Sequence, residues 1–581
     1  MMGLDWSSSP RQHRVQRQDG FAIPLRDGNR LVGTLYRPRT EAKVPLLLSF
    51  HPYNNEYQTA PIRPQGFSYQ RGWIEAGDPE FFARRGYAHG IFNVRGTGAS
   101  SGDFSAMGPR EAEDVAEAIE WMAAQPWCSG QVGMFGISYF ASIQVRVAML
   151  EPPSLKAIFA PFGLTDFYRD MYYQGGILSH RFLLQWKDKF DSVRYHSWFR
   201  ERHGEGEYRQ ALARALADPE ISEIPGLVQA LRHPEGADAL VADIVLQPYD
   251  GPFYEERRVD YSRTSVPAYL GACWALFGLH LEGAFRSFER WQGPKKLLIG
   301  PPLYLDRPFY QLHLEALRWF DHWLLGNDTG FLEEAAVRLF VPGRDTWREA
   351  DAWPLPQTRF TPFFLHQGGL LSEHDLWPGE QATQFEDSPF GHGEVVFLTP
   401  PLVEETEVMG PLALELYVST SDTDALVMAS VFAQDRQGVE EELTRGWLRA
   451  SLRALDPDRS RPWRPHPRLS TPEAVTPGEV MALRIPIVPG ARRLSAGERL
   501  GLRIKVADDE PPPDAVRGAG YGHLQRTTAA LITVHHDEEH PSQLLLPVVE
   551  GNLLGTFLSG GLLPAAIGPL PLAKFQRPKQ E

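Results

Sequence analysis

The chain has 581 residues, a hydrophobic fraction of 43%, a charged fraction of 23% and a net charge of −15. A single core rarely grows past roughly 250–300 residues, so two or three domains are expected. The acidic balance excludes a phosphate-backbone binder, which needs a basic surface. Two cysteines, Cys128 and Cys273, exclude a disulfide framework and a cysteine-rich zinc site. The polar, arginine-bearing N-terminus has no apolar core of signal-peptide length. No stretch reaches the roughly 18 apolar residues of a spanning helix. These features lead us to expect a cytoplasmic protein that binds neither nucleic acid nor membrane. They leave homo-oligomerisation open.

Along the chain, Val44–Phe50, Tyr87–Val94 and Gln131–Phe135 read as buried strands. Leu155–Ala160, Pro267–Ala272 and Leu297–Gly300 follow. Helices fall between them. Ala112, Val115, Ala116, Ile119 and Met122 share one face of Arg110–Ala124, and Tyr310–Leu325 is a long amphipathic helix. This alternation predicts an α/β domain on a largely parallel sheet, built from residues 1–165 and 262–343. Residues 166–261 break the alternation and are rich in aromatic and charged residues. They predict a helical cap over the carboxyl edge of the sheet, where open α/β folds bind ligands. From residue 344 to 581 the period falls to two, as in Leu412, Leu414, Leu416 and Val418. An all-β jelly-roll domain is expected there.

Chemistry concentrates at Gly136-Ile137-Ser138-Tyr139, entered by a strand and left by a helix. That is the context of a nucleophile elbow, although Phe140 stands where G-x-S-x-G has its second glycine. The alternative for Ser138 is an ordinary turn or N-cap serine. His51-Pro52-Tyr53 follows the first buried strand, and Asn93–Ser100 follows the second.

With these segments the chain resembles the serine α/β-hydrolases of the cocaine esterase and X-Pro dipeptidyl-peptidase family. The resemblance runs through IPLRDGNRLVGTLYRP (Ile23–Pro38), NVRGTGASSGDF (Asn93–Phe104), PWCSGQVGMFGISY (Pro126–Tyr139) and DFYRDMYYQGGIL (Asp166–Leu178). It continues through TRGWLRASLR (Thr444–Arg453), LSAGERLGLRI (Leu494–Ile504) and HPSQLLLPVV (His540–Val549). It implies an acyl hydrolase with Ser138 as nucleophile. The Tyr53 hydroxyl and the Tyr139 backbone N–H are then the oxyanion donors.

The family's other two triad members do not fall in place. Leu276 stands where the acid is expected. Gly300–Pro308 contains no histidine, and Tyr304 takes that position. Without a base a serine hydroxyl is a poor nucleophile. Three readings follow: an acyl hydrolase with a non-standard base; a lyase, cyclase or transferase that reuses the oxyanion pocket; or a non-catalytic descendant. His51, Trp274, His280 and Tyr304 are the candidate pocket residues. The cap aromatics Tyr168, Tyr172, Tyr173, Phe182 and Trp186 point to an apolar or aromatic small molecule. No cofactor and no metal site is expected; His535-His536-Asp537 reads as a surface turn. Arg95 reads as a loop tie, and Leu452, where the family has histidine, as an interface residue.

Overall fold

The computed structural model describes residues 8–59, 75–301, 312–375, 379–388, 391–508 and 522–551. Its first sheet begins with the antiparallel pair β1 (Val15–Pro24) and β2 (Arg30–Pro38). The centre follows: β3 (Val44–His51), β4 (Ala88–Asn93), β5 (Cys128–Phe135) and β6 (Leu155–Pro161). β7 (Tyr173–Gln174) and β8 (Ile177–Leu178) form a separate hairpin in the cap. β9 (Ala268–Cys273), β10 (Lys295–Gly300), β11 (Val337–Val341) and β12 (Thr346–Ala350) complete the sheet. The order is β1-β2-β4-β3-β5-β6-β9-β10-β11-β12, and the strands from β4 through β11 run parallel. Every residue of β3 and β4 is buried, because helices cover both faces of a parallel sheet and remove its alternation. The sheet runs on to Ala350, so the α/β domain extends past Gly343.

Helix Pro109–Ala123 starts with proline in its first turn, where the missing N–H costs nothing. It buries Ala118 in place of Ala116, a shift of the apolar stripe that tertiary packing decides. Helix Tyr139–Ala148 is buried along its whole length. A helix so enclosed has no polar face for periodicity to report.

The cap is inserted between β6 and β9. Its helices include His180–Lys187, Trp198–Ala217, Pro225–Arg232 and Ala237–Val245. Buried Asp243 ties two of them together, accepting from the Tyr195 and Ser197 hydroxyls and the Trp198 N–H. At the tip of the β7–β8 hairpin, Gly175 and Gly176 have φ of 56° and 83°. A Cβ on Gly175 would lie 2.0 Å from the Trp447 carbonyl oxygen, and one on Gly176 would lie 2.4 Å from Leu452. Only glycine lets the hairpin press this closely on the C-terminal domain. Leu452 is therefore an interface residue.

Among the described residues, twelve strands between Arg359 and Glu550 make the C-terminal domain. Thr406–Thr420 pairs with Met481–Leu494, with Ala530–His535 and with Gln543–Glu550, which closes the sheet on itself. Among the described residues no helix is long and apolar enough to cross a membrane. Cys128 and Cys273 are both buried.

Candidate active site

β5 delivers Ser138 to the start of helix Tyr139–Ala148 with φ 58° and ψ −117°. A non-glycine residue holds such a conformation only where its surroundings over-determine it, and such strain marks functional sites. Ser138 occupies the N-cap position of that helix, but its side chain makes no capping hydrogen bond. Gly136 makes the turn with φ 132°, and a Cβ there would meet the Phe140 Cβ at 2.6 Å. Phe140 in turn stacks on His51, with ring centroids 4.9 Å apart. The bulky residue in the second glycine position is thus packed against the end of β3.

Tyr53 stands beside the elbow at 7% exposure, its ring 6.0 Å from that of Tyr139. Its hydroxyl accepts from the Trp186 indole N–H at 3.2 Å, so its own proton is available to donate. Burial, then the charge of Glu75, raises its pKa well above the ordinary tyrosine value. His51 positions it. Nδ1 accepts from the Tyr53 N–H at 3.1 Å, and Nε2 faces Asn55 Oδ1 at 3.1 Å. Burial pushes His51 down to about 3, so it is neutral and both nitrogens are engaged. His51 is a positioning residue rather than a pocket wall.

The Tyr139 hydroxyl donates to Glu111 Oε1 at 2.6 Å, so of Tyr139's donors only the backbone N–H faces the site. Glu75, a residue no sequence pattern singled out, is held against the elbow, its backbone carbonyl accepting from the Ile137 N–H at 3.0 Å. Lys189 is the second such residue. Burial pushes it down to about 8, against the attraction of Glu75.

The other sequence candidates lie apart from this cluster or outside the described residues. The Trp274 indole N–H donates to the Phe340 carbonyl at 2.7 Å, and its ring packs on Phe285. These contacts anchor it to β11 rather than to a pocket. His280 is buried against Phe162, neither ring nitrogen has a hydrogen-bond partner among the described residues, and burial pushes it down to about 3. Leu276 is buried. Tyr304 lies outside the described residues. Of the cap aromatics, Trp186 reaches Tyr53, with Tyr172 and Phe182 beside it. Tyr168 and Tyr173 instead hydrogen-bond the Pro248 and Ile244 carbonyls and hold the cap together. Arg95 is the expected tie: it bonds Asp114 through Nε and Nη2 at 2.5 and 2.7 Å, and Asp27 at 2.8 Å.

A cavity of about 500 Å³ lies elsewhere, between the cap, helix Leu281–Arg290 and the C-terminal domain. Its Arg286 and Arg464 are engaged with Asp170, Glu282 and Glu289. In the turn after Ala530–His535, ligand atoms of His535, Asp537 and His540 lie within 4.8 Å of one another. The His535 and His540 rings are already hydrogen-bonded to Ser419 and Asp537.

Comparison with known proteins decides the family. Residues 27–302 match the X-Pro dipeptidyl-peptidase (S15 family) description, and residues 329–545 match the X-Pro dipeptidyl-peptidase C-terminal non-catalytic domain. The chain belongs to the X-Pro dipeptidyl-peptidase S15 family. Within it, the chain is 26% identical to the cocaine esterase of Rhodococcus sp. (strain MB1 Bresler), over 91% of this chain and 98% of that one. A CocE/NonD family hydrolase from Staphylococcus aureus superposes with a TM-score of 0.74 at 25% identity, covering 92% of this chain and 93% of that one. An α-amino acid ester hydrolase shares the fold, with a TM-score of 0.67 at 19% identity over 94% and 99% of the two chains. The two matches together extend through both domains, which makes this a serine-hydrolase-family chain of the esterase and X-Pro peptidase type.

Proposed function

We propose that the chain is an acyl hydrolase for an ester or amide with an apolar or aromatic acyl or leaving group. Ser138 is the nucleophile. The Tyr53 hydroxyl and the Tyr139 N–H side of the elbow receive the oxyanion. One observation carries the reading: Ser138 is held at φ 58° on the strand-to-helix turn, beside the protonated Tyr53 hydroxyl. In the reaction Ser138 Oγ bonds to the carbonyl carbon as its proton leaves to a base. The carbonyl electron pair moves onto oxygen and returns as the leaving group departs with a proton. Water then repeats the sequence and frees the serine. Trp186, Tyr172 and Phe190 around Tyr53 support an apolar or aromatic substrate.

A second reading is favoured by Leu276 at the family's acid position and by the low basicity of buried His280. In it the pocket stabilises an enolate or another developing anion without an acyl-enzyme, as in a lyase, cyclase or transferase; a non-catalytic binding role is its limit. For the C-terminal domain we retain jelly-roll winding as a proposal. It is supported by antiparallel pairing of strands far apart in the chain, such as Arg359–His366 with Gln543–Glu550.

A fluorophosphonate probe separates the readings. Rapid labelling that Ser138→Ala abolishes, with turnover of an activated ester, is the expected result. Wild-type protein that resists the probe and leaves the ester intact would sink the hydrolase reading in favour of the second.

A further inference from the structure

The segment His535-His536-Asp537 ends strand Ala530–His535 and enters the turn before Gln543–Glu550. Side chains alternate across a strand, so the two neighbouring histidines part company. His536 is 4% exposed, and its Nε2 meets Thr383 Oγ1 at 3.0 Å. His535 goes to the other side, where its Nε2 meets Ser419 Oγ at 2.9 Å. The turn then brings a later residue beside it. Ligand atoms of His535, Asp537 and His540 lie within 4.8 Å of one another, and all three side chains are half-buried. Among the described residues no other group of three histidine, cysteine or carboxylate side chains gathers so closely. Hydrogen bonds build the arrangement. Asp537 Oδ1 accepts from the Glu539 N–H at 3.0 Å and the His540 N–H at 3.1 Å. The Ser542 hydroxyl donates to the His535 carbonyl at 2.6 Å. His540 Nδ1 lies 3.0 and 3.2 Å from the two Asp537 oxygens. The His535 and His540 rings are tilted by 54° rather than stacked, with centroids 5.6 Å apart.

We propose that His535, Asp537 and His540 bind a divalent transition-metal ion of the zinc class, through one ring nitrogen of each histidine and one Asp537 oxygen. Two donors about 2.1 Å from one metal stand roughly 3.0–3.4 Å apart. The Asp537–His540 spacing already has that value, and rotation of the half-buried His535 ring closes the rest. The donor set chooses the ion. Two imidazoles and a carboxylate suit zinc and its neighbours, whereas magnesium and calcium take oxygen ligands. A ligating histidine characteristically gives its other ring N–H to a nearby acceptor, and Ser419 Oγ stands in that place for His535. Glu538 and Glu539, exposed in the same turn, add negative charge that favours a cation. Three protein donors leave a fourth position for water. The ion would pin the end of Ala530–His535 to the turn leading into Gln543–Glu550, and both strands pair with Thr406–Thr420. It is a clip on the C-terminal domain, separate from the Ser138 chemistry.

The test titrates the untagged full-length chain, freed of metal by a chelator, with zinc in competition with a zinc-sensitive dye. One ion per chain should bind. It should also raise the melting temperature, since a ligand of the folded state alone stabilises that state. His535→Ala should weaken zinc binding at least about tenfold and lose the thermal shift. Asp537→Asn keeps an acceptor for the Glu539 and His540 N–H groups, so the turn survives while the charged ligand is lost. It should weaken zinc to a similar degree, and it decides alone should His535→Ala fold poorly. Magnesium at the same concentration should neither displace zinc nor move the melting temperature. Absence of binding at millimolar zinc would overturn the inference. So would zinc binding that both variants retain, which places the ion on other side chains. Equal uptake of magnesium would overturn it too, because surface charge rather than imidazole would then hold the ion.

Discussion

Tyr53 earns its role through its neighbours. His51 fixes its backbone, Trp186 satisfies the acceptor side of its hydroxyl, and the aromatic walls of Phe140 and Phe190 hold its ring. What remains free is one O–H proton, which is all that an oxyanion donor requires. Tyr53→Phe should slow Ser138 labelling roughly 10²–10³-fold, the usual cost of one such donor. It should also strand the Trp186 N–H and lower stability by about 1–3 kcal/mol. A labelling rate unchanged in a variant of reduced melting temperature would show Tyr53 to be a packing residue. Tyr53 was legible in the sequence because it ends a buried strand in a familiar order. Glu75 and Lys189 were not. Each is a single charged residue without periodic context, brought to the elbow only by the course of the chain.

The elbow shows what one element's geometry costs. Gly136 is required twice, by its φ of 132° and by the 2.6 Å approach to Phe140. Gly136→Ala should destabilise the protein by at least about 2 kcal/mol, the sum of the lower ends of backbone strain and overpacking. Gly130, on the same strand with φ 81° and open space around it, is the control. Alanine there incurs strain alone and should leave labelling intact. Equal losses at the two positions would mean that crowding at the elbow contributes nothing. The pattern departure at Phe140 also finds its reason at this scale. The helix is buried on all sides, so a large ring that stacks on His51 fits where glycine would leave a void.

Three bodies become one molecule through buried polar ties. Gln174 of the cap faces His523 Nε2 at 3.0 Å, and His523 Nδ1 meets Asp508 at 2.6 Å. Glu220 of the cap takes Arg449 and Arg526 of the C-terminal domain. Burial works against the Asp508 charge, but His523 and Arg445 outweigh it and hold the carboxyl well below the usual aspartate range. A group depressed on folding stabilises the fold above its unfolded pKa, near 3.9, and loses that contribution as pH falls toward its folded value. Stability should decline on acidification below about pH 4. Asp508→Asn should flatten part of that decline and lower the melting temperature at neutral pH. A variant with an unchanged acid profile would show that Asp508 does not carry the tie.

The sequence by itself determined the parallel core, the insertion after β6, the change to period-two strands and the place of Ser138. Each of these rests on local patterns: continuous apolar runs for strands buried on both faces, and glycine where a turn permits nothing larger. Only the tertiary structure decided that His51 serves Tyr53, that Trp274 anchors to β11, and that β12 belongs to the first sheet. It also decided that the Glu75 carbonyl meets the Ile137 N–H at the elbow. These depend on groups far apart in the chain whose encounter no local period encodes. For a buried charged residue, that encounter sets the protonation state and hence the chemistry.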